Sequence, residues 1–224
     1  MIELVVDPRF NGPPGSANGG YTCGLLAEVA GGRVEVTLRR PPPLGRPLAV
    51  ERRDGAVRLL DGDELVAEAA PAELELQPPD PVEPSAAERA AARYPGFERH
   101  AFPTCFVCGP DRREGDGLRI FAGPVSGRDV FAAPWVAPPD VALPLVWAAL
   151  DCPGAIAVGF PDRGETLLGR FAVRVDRVPS PGERCVVVAW PLGEDGRKLY
   201  AGTALFGEDG EPAAVARATW IEPR

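Results

Sequence analysis

The chain has 224 residues, 45% hydrophobic and 25% charged, with a formal net charge of −8, enough to bury a sizeable core in one large domain or two small ones. So acidic a balance excludes nucleic acid and anionic membrane surfaces as partners, because phosphate binding needs a basic footprint. No apolar run approaches the ~20 residues of a membrane span. The opening M-I-E-L-V-V-D-P lacks a basic-then-apolar signal pattern, and the five cysteines are an odd number, so a cytoplasmic protein with reduced thiols is expected.

In chain order, 2–6 reads as a strand and 7–15 as turns. Ser16 is placed to cap a small-residue helix over 16–29 that Gly31-Gly32 ends. Val34, Val36 and Leu38 alternate with Glu35, Thr37 and Arg39, the period of a half-buried strand over 33–39. After the corner P-P-P-L-G-R-P, strands at 48–52, 56–60 and 64–70 turn at Asp54-Gly55 and Asp61-Gly62. The proline-rich stretch 77–84 reads as a linker, and Ser85-Ala-Ala-Glu88 as a capping box opening a short surface helix to about Arg93. Strands at 118–122 and 129–133 lead to Asp140, a candidate N-cap for a second apolar helix over 141–158. Strands near 166–175, 184–190, 198–206 and 213–221 follow, the last three turning at Glu194-Asp-Gly196 and Glu208-Asp-Gly210.

This order repeats itself. Arg40, Pro42, Gly45 and Val50 superpose on Arg177, Pro179, Gly182 and Val187 at a constant offset of 137 (177 − 40). Asp61-Gly62 and Asp209-Gly210 match at 148 (209 − 61), so the second copy has the longer hairpin. The chain therefore divides into a first copy (1–77), a linker with a short helix (78–100) and a second copy (101–224). One apolar helix against about five antiparallel strands per copy is best buried by a sheet curled around it, an α+β arrangement. Two such sheets joined edge to edge would remove two open edges.

Four features carry potential chemistry. Asn18-Gly19-Gly20 opens the first helix, where bare backbone N–H groups suit a carbonyl oxygen or oxyanion, or else allow tight packing on a strand. Asp151 is the lone carboxylate between V-W-A-A-L and C-P-G-A-I-A-V; a buried charge is costly, so it is a candidate general base or a structural carboxylate bonded to backbone that Pro153 frees. Glu28 reads as a solvated helix end. Cys105-Phe-Val-Cys108 with His100 upstream has half the pattern of a zinc site, but no second Cys pair or His follows. Two reduced thiols in a tight turn, and no metal, are expected. Cys23 and Cys152 read as core packing. Arg39-Arg40, Arg174 and Arg177 sit at strand ends that could meet phosphates, although solvated strand ends are the commoner reading. The single histidine excludes any site that needs two, and any Ser-His-Asp or Cys-His scheme not built on His100.

C-F-V-C-G-P-D-R-R-E-G-D-G-L-R-I (105–120) resembles the opening of hotdog-fold thioesterase-like proteins. V-E-V-T-L-R-R-P-P-P-L-G and F-A-V-R-V-D-R-V-P-S-P-G are similar to the strand and corner of that superfamily. The resemblance implies a tandem, double-hotdog fold over nearly the whole chain outside the linker. The superfamily commonly places a His-Gly-Gly loop at the helix start and an acid nine residues after the His, the two acting across an interface. Asn18-Gly19-Gly20 matches the loop with Asn for His, while the ninth residue on is Ala27, next to Glu28. Asp151 matches the acid, while nine residues back stands Ala142, with A-L-P in place of the loop. The resemblance thus implies one composite site and one degenerate one. It further implies an acyl-CoA thioesterase-like hydrolase without metal or redox cofactor, with Asp151 and Asn18 as catalytic residues and Gly19, Gly20 and Tyr21 binding a coenzyme A ester. A catalytically silent binder of acyl-CoA or another hydrophobic ligand is the alternative, and a homodimer of such tandem chains stays open.

Overall fold

Period-two alternation carries most of the chain into strands. The computed structural model describes residues 2–222. The first half supplies β1 (Ile2–Val5), β2 (Val34–Leu38), β3 (Pro47–Arg53), β4 (Ala56–Asp61) and β5 (Glu64–Pro71). The second supplies β6 (Gly123–Pro124), β7 (Phe131–Val136), β8 (Leu167–Val175), β9 (Arg184–Asp195), β10 (Lys198–Phe206) and β11 (Pro212–Ile221). They form one sheet in the order β1-β3-β4-β5-β2-β8-β11-β10-β9-β7-β6. The halves meet where β2 pairs antiparallel with β8, Val36 opposite Phe171 and Glu35 opposite Ala172, so each edge is satisfied by the other half. Glu35 and Ala172 are counterparts in the repeat (172 − 35 = 137), and a pseudo-two-fold axis passes through their pair.

The repeat is also visible in the hydrogen bonds. At the two corners Gly45 and Gly182 have φ of +68° and +83°, a backbone that glycine adopts without strain. Their N–H groups donate to Val6 and Ala137 carbonyls, each at 2.8 Å. Arg39 and Arg40 N–H groups donate to the Val66 carbonyl, and those of Asp176 and Arg177 to Ala213. The longer second hairpin shows as a β9 of 12 residues against 7 in β3.

Helices α1 (Gly19–Ala30), α3 (Leu143–Ala149) and α4 (Cys152–Ala157) lie against one face of the sheet. Cys23, Leu26, Val146, Ala149 and Ile156 share one core with Val36, Leu59, Phe171 and Leu205. Because side chains alternate across a strand, Ala132, Val186, Val188 and Ala204 point to the opposite face, where α2 (Pro84–Ala91) covers them with Ala87 and Ala90. Residues 72–83 carry neither helix nor strand. Among the described residues no helix is long and apolar enough to cross a membrane.

Several boundaries differ from expectation for local reasons. The first helix begins at Gly19: Asn18 is its N-cap, while the Ser16 hydroxyl bonds the Pro42 carbonyl instead. Glu83 precedes α2, with Pro84 in its first turn, where proline's missing N–H costs nothing. Ser85 therefore lies inside the helix, and α2 is a surface helix whose Ala87 and Ala90 face is buried on the sheet. Residues 118–122 are not a sheet strand; Leu118 and Ile120 N–H groups pair with Phe106 and Val107 carbonyls in the Cys105 loop. The second apolar helix is two helices, α3 and α4, broken at Leu150-Asp151, and Ala142, not Asp140, precedes the first of them.

Candidate active site

The site begins with a close crossing of helices. A Cβ on Gly20 would lie 2.5 Å from Asp151 Cβ and 2.9 Å from the Trp147 carbonyl, and one on Gly24 would lie 2.6 Å from Pro144 Cα. The two glycines, one helical turn apart, let α1 approach α3 and the α3–α4 break. Pro153 has no N–H to continue the helix. The Leu150 carbonyl next to the break accepts the Thr203 hydroxyl at 2.8 Å, and Asp151 faces α1.

Asn18 and Asp151, one from each half, are both 2% exposed and hydrogen-bonded. Asn18 Oδ1 accepts from the Tyr21 N–H at 2.8 Å, capping α1. That bond fixes the amide orientation, so Nδ2 donates to Asp151 Oδ2, also at 2.8 Å. The Gly20 N–H donates to the same oxygen at 2.9 Å. With two donors on Oδ2, any proton on this carboxyl belongs on Oδ1, which has no protein partner. Burial raises the Asp151 pKa to about 7, against the opposing pull of the Gly20 and Asn18 donors. Asp151 is therefore poised to exchange a proton near neutrality through one defined atom.

Oδ1 has company. Asp151, Thr166 and Trp220 all line a cavity of about 320 Å³, and Thr166 Oγ1 and Trp220 Nε1 are likewise buried without a protein partner. Elsewhere its wall is largely apolar, from residues such as Leu38, Leu168, Phe102 and Phe160, with Arg39 and Arg40 exposed on it. A mostly apolar cavity with a few convergent polar atoms is the form of a small-molecule site.

The sequence-derived candidates separate at this point. Asn18, Gly19 and Asp151 all line the cavity. Gly20 does not, and its N–H is engaged by Asp151. Gly19, the first helical residue, has an N–H free of intrahelical bonding. The Tyr21 ring stacks on Phe10 at 3.8 Å, outside the cavity wall. At the counterpart position between the copies, Ala142 offers no side-chain cap, Ala27 is buried and Glu28 is exposed. Arg177 forms a bidentate pair with Glu183 and Arg174 bonds Asp176, away from the cavity. Trp220 and Thr166 escaped sequence reasoning because each reads as an ordinary strand-end residue; only tertiary packing turns their polar atoms inward.

No protein-family model matches the sequence, and neither does any curated protein. Solved structures do. A protein of unknown function with a hot dog fold from Alicyclobacillus acidocaldarius superposes with a TM-score of 0.65 at 13% identity, covering 99% of this chain and 92% of that one. The tesB protein of Mycobacterium avium subs. paratuberculosis gives 0.62 at 14% identity, with the same coverage. An acyl-CoA thioesterase II, TesB2, from Mycobacterium marinum gives 0.59 at 15%, again over 99% and 92%. The chain is a double hotdog: two tandem curled-sheet units sharing one continuous sheet. At such identities the likeness carries the fold alone.

Proposed function

We propose that the protein hydrolyses acyl thioesters, with coenzyme A esters as the substrate class, at a single composite site between its copies (1–77 and 101–224, joined by 78–100). The observation that carries this reading is the lone Asp151 Oδ1, unpartnered, with its carboxyl held near neutral pKa inside the cavity. In the reaction, Oδ1 takes a proton from water as the water oxygen bonds to the thioester carbonyl carbon. The carbonyl oxygen becomes an oxyanion, for which the Gly19 N–H and the Trp220 indole N–H are the available donors. Collapse re-forms the carbonyl and breaks the carbon–sulfur bond, and the departing thiolate recovers the proton from Asp151. Asn18 does not touch the substrate in this scheme; it is a positioning residue that orients the carboxylate through its amide. Arg39 and Arg40, exposed on the cavity wall, suit the phosphates of the coenzyme.

A silent acyl-ligand binder is the second reading, favoured by the amide that stands where an imidazole would titrate. A panel of short, medium and aromatic acyl-CoAs separates the two. Release of free thiol with at least one ester supports hydrolysis. Thermal stabilisation by the esters without thiol release supports binding alone.

A further inference from the structure

Three cysteines converge beside this site. The Sγ atoms of Cys105, Cys108 and Cys152 all lie within 4.8 Å of one another, and Cys105 and Cys152 are 3.7 Å apart. Ligands of a tetrahedral zinc with Zn–S near 2.3 Å sit about 3.8 Å apart, whereas a disulfide needs about 2.05 Å. The Cys105–Cys108 turn brings two of the three sulfurs together. The Gly109 N–H closes the turn on the Cys105 carbonyl at 2.9 Å. A Cβ on Gly109 would lie 2.5 Å from the Cys105 nitrogen, so the turn needs glycine.

Side-chain donors point at the sulfurs. Asn18 Nδ2 lies 3.9 Å from Cys152 Sγ, and His100 Nε2 lies 3.4 Å from Cys108 Sγ. His100 Nδ1 accepts the Phe102 N–H at 2.9 Å, so the imidazole proton sits on Nε2 and faces sulfur. A metal-ligating histidine has the reverse polarity, donating its far N–H. His100 is thus a donor to the Cys108 sulfur, and the protein ligands number three.

We infer that Cys105, Cys108 and Cys152 form a binding site for a soft metal ion, zinc by preference, with its fourth position opening on the cavity that Asp151 lines. Thiolate ligands select such ions over magnesium or calcium, and all three cysteines line that cavity. The ion would tie the 105–109 turn to the first residue of α4, next to Asp151.

The test is spectroscopic and independent of hydrolysis. The whole protein, reduced and stripped with a chelator, is titrated with Co²⁺ alone. A thiolate-to-cobalt charge-transfer band saturating at one ion per chain and bleached by Zn²⁺ is expected. Cys105→Ala and Cys152→Ala should weaken cobalt binding at least tenfold, while Cys185→Ser should leave it unchanged. No such band in the wild-type protein at one equivalent overturns the inference without recourse to any variant. So does a band that survives both alanine substitutions at full strength.

Discussion

Asp151 is held by two opposing forces, and the balance has consequences for stability as well as chemistry. Burial, with a smaller push from the Cys105 sulfur, disfavours its charge, while the Gly20 and Asn18 donors favour it; burial wins, and the pKa moves from 3.8 to about 7. Across that window the folded chain keeps a proton that the unfolded chain has released, so this group's stabilisation is complete below the ordinary aspartate range and lost as pH rises through about 7. Asp151→Asn keeps an acceptor for Asn18 and Gly20 without the buried charge. Urea denaturation should show it more stable than wild type at about pH 8, by on the order of 4 kcal/mol. The difference should vanish below about pH 3, where the aspartate is neutral in both the folded and the unfolded chain. A variant less stable than wild type at the higher pH would mean that the charged form is well solvated.

At the scale of elements, the site depends on the crossing of α1 over α3. Gly20→Ala would put a methyl group against Asp151 Cβ and the Trp147 carbonyl, so the helices must separate, at a cost of about 1–3 kcal/mol for overpacking. Thermal denaturation should show the loss; a variant as stable as wild type would place slack where the structure has none. The elements themselves were largely legible: period-two runs marked β2 to β5 and β8 to β11, and Asp-Gly pairs marked their turns. Pro153 signalled the break beside Asp151. What stayed hidden depends on contacts distant in sequence. Ser16 and Asn18 are equally good caps locally, and the Pro42 carbonyl, 26 residues away, takes the Ser16 hydroxyl. Likewise Cys152 carries no local sign of meeting Cys105, 47 positions earlier, which made Cys105-Phe-Val-Cys108 look like half a site.

Over the whole molecule, the repeat is a single structural unit, not two beads on a string. β2 and β8 pair across the pseudo-two-fold axis, and both copies' helices enter one core. Neither half can lose its partner without exposing a sheet edge and an apolar helix. Unfolding followed by circular dichroism and by tryptophan fluorescence should therefore give one coincident transition. Two separated transitions would show the copies to be independent. The division of labour was legible as a pattern of losses, Asn18-Gly19-Gly20 without its acid and Asp151 without its loop. That the two remnants meet at 2.8 Å is a property of the shared sheet and the glycine crossing.

The central claim is that the Asp151 carboxylate activates water for thioester hydrolysis. It is tested most directly by the pH dependence of kcat/KM on a turned-over acyl-CoA, in wild type and in Asp151→Asn. Wild-type activity should rise with pH through a midpoint near 7, the value burial gives this carboxyl. The variant, folded and at least as stable, should lose about 10²-fold or more, the usual contribution of a general base, and with it the pH-dependent rise. Full activity in Asp151→Asn, with the same pH profile, would contradict the claim.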